Sequence, residues 1–304
     1  MKYIAVVVTY NRKNYLKVAL DKLLAQTTLP YKIVLVDNHS TDGTKDFIKA
    51  YLQNGQAKQL IDYLELPENV GGAGGFYAGI KEALTYQSDF IAVSDDDAWY
   101  SVTYFTDIFN AYEQNKNILA FQGLSKDIKT GKISMQNSNI ANWNTLSHSS
   151  SLDTNDMYDT GSFCGMVIST DLINKIGLPR KDFFIWGDDK EYSLRMHAYT
   201  KIKCVRNAIL QHNNSVKRGM HGLVPVWKAY YGFRNNIVLR QMYSHNKLIA
   251  NLYNIYLLLR NSSAVLLKSS YKGQKKCYLS VYIDGFFDAY FHHMGRNNKF
   301  LPGH

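Results

Sequence analysis

The chain has 304 residues, 46% of them hydrophobic and 20% charged, which is the balance of a folded protein with one large domain or one domain plus an appendage. That balance excludes a disordered chain, and three scattered cysteines (Cys164, Cys204 and Cys277) exclude a disulfide framework and suit a reducing compartment. Net charge is +10, but 11 Lys and Arg against 2 Asp fall after residue 225, so the body is nearly neutral, which argues against general nucleic-acid binding.

Met1-Lys2-Tyr3-Ile4 runs straight into a strand, so no signal peptide is expected. No uncharged apolar stretch is long enough to span a bilayer, and a cytoplasmic location follows as the expectation. Through residue 122 strands and helices alternate, the pattern of an α/β domain with a mainly parallel sheet. Residues 3–8 predict the first strand, Thr9-Tyr10-Asn11-Arg12 the turn after it, and residues 15–24 a helix. Residues 33–36 are the second strand, ended by Asp37, with Thr41 or Asp42 placed to cap the next helix. Arg12 and Asp37 both stand at strand C-termini, where open α/β sheets bind ligands. Arg12 is available to a phosphate or a base, and Asp37 to a nucleobase or ribose; taken singly, either is more often a surface charge.

Residues 60–66 predict the third strand. Four glycines in five positions (Gly71, Gly72, Gly74 and Gly75) then enter a helix over residues 73–84. Such a run lets a ligand approach the backbone and aims amides at an anion. Tight helix packing would explain one or two of these glycines but hardly four. The run follows strand three and has Tyr77 at the third glycine position, so it is not a dinucleotide fingerprint. Residues 90–93 predict a buried strand whose tip is Ser94-Asp95-Asp96-Asp97. Adjacent carboxylates raise one another's pKa unless a cation or donors offset them. Oxygen ligands at this spacing suit Mg²⁺ or Mn²⁺, ions that also grip phosphate. A solvated acidic loop is the alternative.

Residues 124–157 turn polar, a long loop or irregular hairpin anchored by Trp143, and residues 163–168 return as a strand. Residues 183–186 predict a short strand, Gly187 a turn, and Asp188-Asp189 the start of a helix running to His197. The acidic pair is either an N-cap favoured by the helix dipole or a base for a hydroxyl, with Trp186 as a flat face for a sugar ring. Residues 202–205 are the last strand, and His212 follows, within reach of the Asp95–Asp97 tip as a third ligand. From Val226 the pattern is helical and aromatic, with helices starting at Tyr230, covering 248–267 with interruptions at Asn254, Arg260 and Asn261, and covering 278–293; this divides the chain into a 1–225 catalytic region and a 226–304 basic region. Eleven basic residues and nine tyrosines in that last region suit an anionic membrane surface. A helical cap on the catalytic region, or a homo-oligomer contact, is the alternative use.

In this order the strand-end Arg, strand-two Asp, glycine turn, Asp triplet, Trp-Gly-Asp-Asp and late His resemble an inverting family 2 glycosyltransferase of the GT-A fold. Residues 69–76, 183–191 and 230–236 are similar to recurrent stretches of the bacterial galactofuranosyltransferases. The resemblance covers roughly residues 2–240. It implies that Asp95 and Asp97 hold the metal on the donor diphosphate, with His212 as third ligand. It also implies a uridine diphosphate pocket lined by Thr9, Arg12, Asp37 and Asn69, with Gly72 and Asp96 beside them. Asp189 takes the general-base position, next to Asp188. The expected reaction moves galactofuranose from UDP-galactofuranose, with inversion, to a hydroxyl of a growing, lipid-linked glycan of the O-antigen or capsule kind. Rhamnosyl- and other hexosyltransferases share most of these stretches. A non-catalytic nucleotide-sugar-binding protein is the alternative of another class, and Asp189 speaks against it because a binding module needs no base.

Overall fold

A computed structural model describes residues 1–53, 55–134, 136–149, 153–212 and 222–301. In chain order these form β1 (Tyr3–Thr9), α1 (Lys13–Leu24), β2 (Lys32–Asp37), α2 (Thr44–Tyr51), α3 (Gly55–Leu60), β3 (Ile61–Glu65), α4 (Gly71–Ala83), β4 (Phe90–Asp95) and β5 (Ala98–Tyr100). Next come α5 (Tyr104–Gln114), β6 (Ala120–Asp127), β7 (Ile133–Ser134), β8 (Ile140–Asn142), β9 (Ser147–His148), β10 (Met157–Tyr158), β11 (Met166–Ser169), α6 (Thr170–Ile176) and α7 (Asp188–Met196). The chain closes with β12 (Ile202–His212), α8 (Val226–Tyr243), α9 (Lys247–Leu267) and α10 (Lys275–Tyr290).

The main sheet has the order β10-β12-β6-β11-β4-β1-β2-β3, with β5 added to β12 and β7 to β6. β3, β2, β1 and β4 are parallel, which sets Thr9 beside Asp37 and Val8 beside Asp95 at one edge. β11 runs antiparallel between β4 and β6, and β12 then pairs parallel with β6. Side chains alternate across the sheet, so β1 reads as one continuous apolar run because both of its faces are covered. Tyr3, Ala5 and Val7 pack with Leu16, Leu20 and Leu23 of α1. Ile4, Val6 and Val8 pack with Phe76 and Ile80 of α4 on the other face. The last three helices contact one another, and Phe233, Ile237 and Leu239 of α8 close over Phe183 in a further cluster with Leu257 of α9 and Ala289 of α10.

Several sequence expectations change. Residues 183–186 are not a strand: a single 3₁₀ turn over Lys181–Phe183 leads into Phe184 and Trp186 with positive φ of 65° and 64°. The last strand does not stop at Val205 but runs to His212 through an irregularity between Val205 and Ile209. The returning strand starts at Met166 rather than Phe163. Helix α2 begins after Gly43, which is left-handed, and Asp42 Oδ1 accepts from the Thr44 amide instead of capping directly. The polar 124–157 stretch, some of which lies outside the described residues, adds short pairings to β6 and a β8–β9 hairpin. Helix α9 is continuous, because Asn254 turns inward to accept from Arg240 Nε at 2.5 Å.

The glycine run is also corrected. A Cβ at Gly75 would stand 2.6 Å from Val8 Cγ1, one at Gly74 2.5 Å from Val70 Cγ2, and one at Gly71 2.0 Å from the Phe184 carbonyl oxygen. Packing therefore accounts for three of the four glycines. Gly72 alone meets nothing within 4 Å, and it lines the cleft described next.

Candidate active site

The parallel strands deliver their C-termini to a cavity of about 270 Å³, roofed by the start of α8. Thr9, Arg12, Asn69, Gly72, Asp95 and Asp96 all line it. A wider cleft of about 720 Å³ shares Arg12 and Lys228 with the first and reaches Asp97 and Asp42.

Asp95, Asp97 and His212 each present a ligand atom within 4.8 Å of the others. β4 carries Asp95 at its tip, Asp97 follows in the turn, and β12 brings His212 beside Ala98 of β5. Asp97 Oδ1 lies 3.3 Å from His212 Nε2 and, although buried, accepts no hydrogen bond among the described residues. Gln136 Nε2 sits 3.4 Å from His212 Nδ1, on the far side of the ring. Two carboxylates and an imidazole held by strands, with a buried carboxylate oxygen facing the ring nitrogen, fit a small divalent cation. Burial and Asp97 together raise the Asp95 pKa, as carboxylates crowded into one cluster do. Burial opposes a charged His212, but Cys164 and Asp97 push it up to about 12.

Arg12 does not point its guanidinium into open space. Its Nη1 donates to Asp96 Oδ1 at 3.2 Å and to Asp97 Oδ2 at 2.7 Å, and Thr9 Oγ1 donates to Asp96 Oδ2 at 2.7 Å. These two residues therefore hold the acidic turn. Burial pushes Asp96 up to about 7, against the pull of Arg12. Asp37 is not at the cavity wall: it is buried, with Oδ1 accepting from the Ser40 amide at 2.8 Å and Oδ2 from Tyr63 Oη at 2.9 Å. Asn38, which sequence reasoning passed over, binds both sides of the glycine turn. Its Nδ2 donates to Asn69 Oδ1 and to the Gly71 carbonyl, both at 3.1 Å, and its Oδ1 accepts from the Val70 amide at 3.0 Å.

The second acidic centre stands at the start of α7, after left-handed Gly187. Asp188 is buried, and burial with Asp189 raises its pKa well above the carboxylate range. Asp189 is partly exposed; burial pushes it up to about 6, with Asp95 adding to the rise against a 2.7 Å hydrogen bond from the Lys190 amide. Of the pair, Asp189 is the one that ionises near neutrality. Glu191 is committed elsewhere, accepting from Arg195 Nη2 and Tyr243 Oη, both at 2.7 Å. Trp186 is 38% exposed, as a sugar platform would need, and Lys228 Nζ lies 5.5 Å from its ring centre.

The loop that presents Trp186 and the acidic pair is held from α8. Asn235 is fully buried, and its Nδ2 donates to the carbonyls of Phe183 and Ile185 at 3.0 Å and of Trp186 at 2.7 Å. Arg234 Nη2 adds a bond to the Phe183 carbonyl at 3.2 Å. Two non-glycine residues at positive φ cost roughly 1–3 kcal/mol each, and such conformations persist where surroundings over-determine them. Neither Asn235 nor Lys228 was assigned a role from sequence. For Asn235 the only signal was the 230–236 stretch, and nothing in it says which carbonyls an amide will meet; Lys228, just before that stretch, had none.

A family model described as glycosyl transferase family 2 matches residues 4–171. Galactofuranosyltransferase GlfT1 of Mycobacterium tuberculosis is 43% identical over 93 residues, covering 31% of this chain and 29% of the relative. The protein of the same name from Mycolicibacterium smegmatis is 26% identical over 210 residues, covering 63% of this chain and 64% of that one. The chain thus spans less than two thirds of the length of these relatives. Among solved structures, S. aureus TarS 1-349 superposes with a TM-score of 0.58 at 17% identity, over 95% of this chain and 81% of that one. GalNAc-T7 with UDP, GalNAc and Mn²⁺ reaches a TM-score of 0.68 at 13% identity, over 95% of this chain and 56% of that one. These likenesses show a GT-A fold. Since the family match runs from β1 into α6 and takes in more than half of the residues, the chain belongs to glycosyl transferase family 2.

Proposed function

We propose that this glycosyltransferase moves galactofuranose from UDP-galactofuranose, with inversion, to a hydroxyl of a growing lipid-linked glycan at the cytoplasmic face of a membrane. The observation that carries the reading is the pairing of two acidic centres on separate elements: Asp95, Asp97 and His212 at the strand ends, and Asp189 at the start of α7. Similarity to the mycobacterial galactofuranosyltransferases supports the donor.

In this reading Asp95, Asp97 and His212 hold Mn²⁺ or Mg²⁺, which when bound neutralises charge on the donor diphosphate. The chain's own residues do the rest. Asn69, Gly72 and Tyr10 receive the nucleotide, and Arg12 and Thr9 keep Asp96 and Asp97 aimed. Lys228, whose pKa is lowered by burial and by Arg12, adds a positive charge on the cavity side where UDP departs. Asp189, ionised above about pH 6, takes the proton from the acceptor hydroxyl as its oxygen attacks the anomeric carbon. The bond to the diphosphate oxygen breaks on the opposite face, so one displacement inverts the centre. Trp186 offers its ring to the acceptor sugar.

The test is a donor panel: purified protein with Mn²⁺ and UDP-galactofuranose, UDP-galactose, UDP-N-acetylglucosamine, GDP-mannose or dTDP-rhamnose, scored for transfer and hydrolysis. Turnover confined to UDP-galactofuranose is expected. Turnover of dTDP-rhamnose alone would overturn the donor, and turnover of none with intact UDP binding would return the protein to a binding role.

A further inference from the structure

Helix α9 is covered on one side only. Its inner face carries Ala250, Asn254, Leu257 and Val265, all buried. At 100° per residue, Leu248, Leu252, Ile255, Tyr256, Leu259 and Leu266 fall on the opposite side within an arc of about 100°. All six are exposed, Leu252 at 58% and Leu259 at 62%, and Leu267 beyond them at 84%. A helix of a water-soluble protein places polar residues there. On α10, Ile283 and Phe287 are exposed at a spacing of four, and Phe291, exposed too, caps its end.

The charge around this stripe has one sign. Helix α9 holds Lys247 and Arg260 and no acidic residue. Lys268 and Lys272, between its end and α10, and Lys275 and Lys276, which open α10, are all exposed. The two acids of α10 are occupied: Asp284 accepts from Ser280 and Lys299, and Asp288 from Tyr230 and Asn297. We infer that α9 lies flat on an anionic lipid surface, with the 248–266 stripe among the acyl chains and the lysines at the headgroups. A second copy of this chain is the poorer occupant, because it would bring the same basic surround to the stripe, where an anionic lipid surface brings the opposite charge. Helix α9 does not cross the bilayer: no helix among the described residues is long and apolar enough, and the inner face buries the Arg240–Asn254 bond. The inference deepens the membrane location of the proposed function and rests on that reading for its purpose, but its test reads no transfer, so the two can fail separately.

The experiment is co-sedimentation of the full chain with vesicles of phosphatidylcholine alone and of phosphatidylcholine mixed with phosphatidylglycerol. The wild type pellets with the mixed vesicles and is released by salt, which screens the headgroup attraction. Leu252→Asp/Leu259→Asp lowers partitioning by about tenfold or more, since the apolar contact is removed. Lys268→Gln/Lys272→Gln/Lys275→Gln/Lys276→Gln lowers it on mixed vesicles. Both variants change exposed side chains, and unchanged circular dichroism and thermal midpoint verify their folds. A wild type that pellets with neither vesicle, or a leucine variant that pellets as before, overturns the inference. So does light scattering that finds a wild-type dimer and a monomeric leucine variant, which assigns the stripe to a second copy.

Discussion

Replacing Asn235 with Ala removes one amide group that donates to three carbonyls. Arg234 still reaches the Phe183 carbonyl, so the loss falls on the Ile185 and Trp186 oxygens. A buried polar group left unpaired costs about 1–3 kcal/mol, so the two together cost ~2–6 kcal/mol, before any relaxation of Phe184 and Trp186 out of positive φ. A loss of that size lowers the thermal midpoint by roughly 5–10 °C in a chain of this length. Relaxation also moves Gly187 and the start of α7, and with them Asp189. The assay pairs thermal unfolding with transfer measured well below the midpoint, alongside UDP titration. The expected result is a lower midpoint and a fall in kcat of about tenfold or more, with a smaller loss of UDP affinity, since Phe184 and Ile185 line the nucleotide cavity but the rest of its wall rests on β1 and α4. Asn235→Asp keeps the bond from Arg234 Nε but turns acceptors toward acceptors, and so is the more damaging change. A midpoint within a degree of wild type would refute the claim that this amide holds the loop. A lower midpoint with full turnover would show that the loop does not set the base.

Asp189→Asn keeps donor binding and loses transfer by about 10²-fold or more, measured by single-turnover transfer with UDP affinity as control. Because burial and Asp95 hold the Asp189 pKa up at about 6, the group is protonated below that value, and kcat/KM should rise as pH passes upward through it, with a flattened limb in the Asn variant. Stability runs the opposite way: a carboxyl whose folded pKa lies above its unfolded value favours folding at low pH, and that contribution fades as pH rises through about 6. Asp97→Ala abolishes transfer while leaving the fold intact. Mn²⁺ at 100 times its dissociation constant should stabilise the wild type by about 2.7 kcal/mol and the variant by almost nothing, read as the shift in thermal midpoint. Full activity of wild type in excess EDTA would remove the metal from the reaction.

The central strands were legible because they are buried on both faces, so residues 3–8, 33–36 and 90–93 read as unbroken apolar runs whatever surrounds them. The carboxylates at Asp95–Asp97 and Asp188–Asp189 were legible for a related reason: clustered charges beside such runs need an explanation in any fold. Tertiary structure decided the rest. Gly75 and Gly71 pack against Val8 and Phe184, contacts that depend on how α4 lies on the sheet and on a segment more than a hundred residues away, while Gly74 makes room for Val70 one turn back in its own helix. Asp37 carried a strand-end position in the sequence, yet Ser40 and Tyr63 take both of its oxygens, because the β2–β3 pairing sets Tyr63 beside Leu35. The 183–186 segment has the aromatic and branched residues of a strand and is instead a strained turn, because Asn235 and Arg234 of α8 supply the donors that a neighbouring strand would have supplied. Local composition registers what a residue prefers to be buried with, and only the folded chain decides which distant donor reaches each backbone carbonyl.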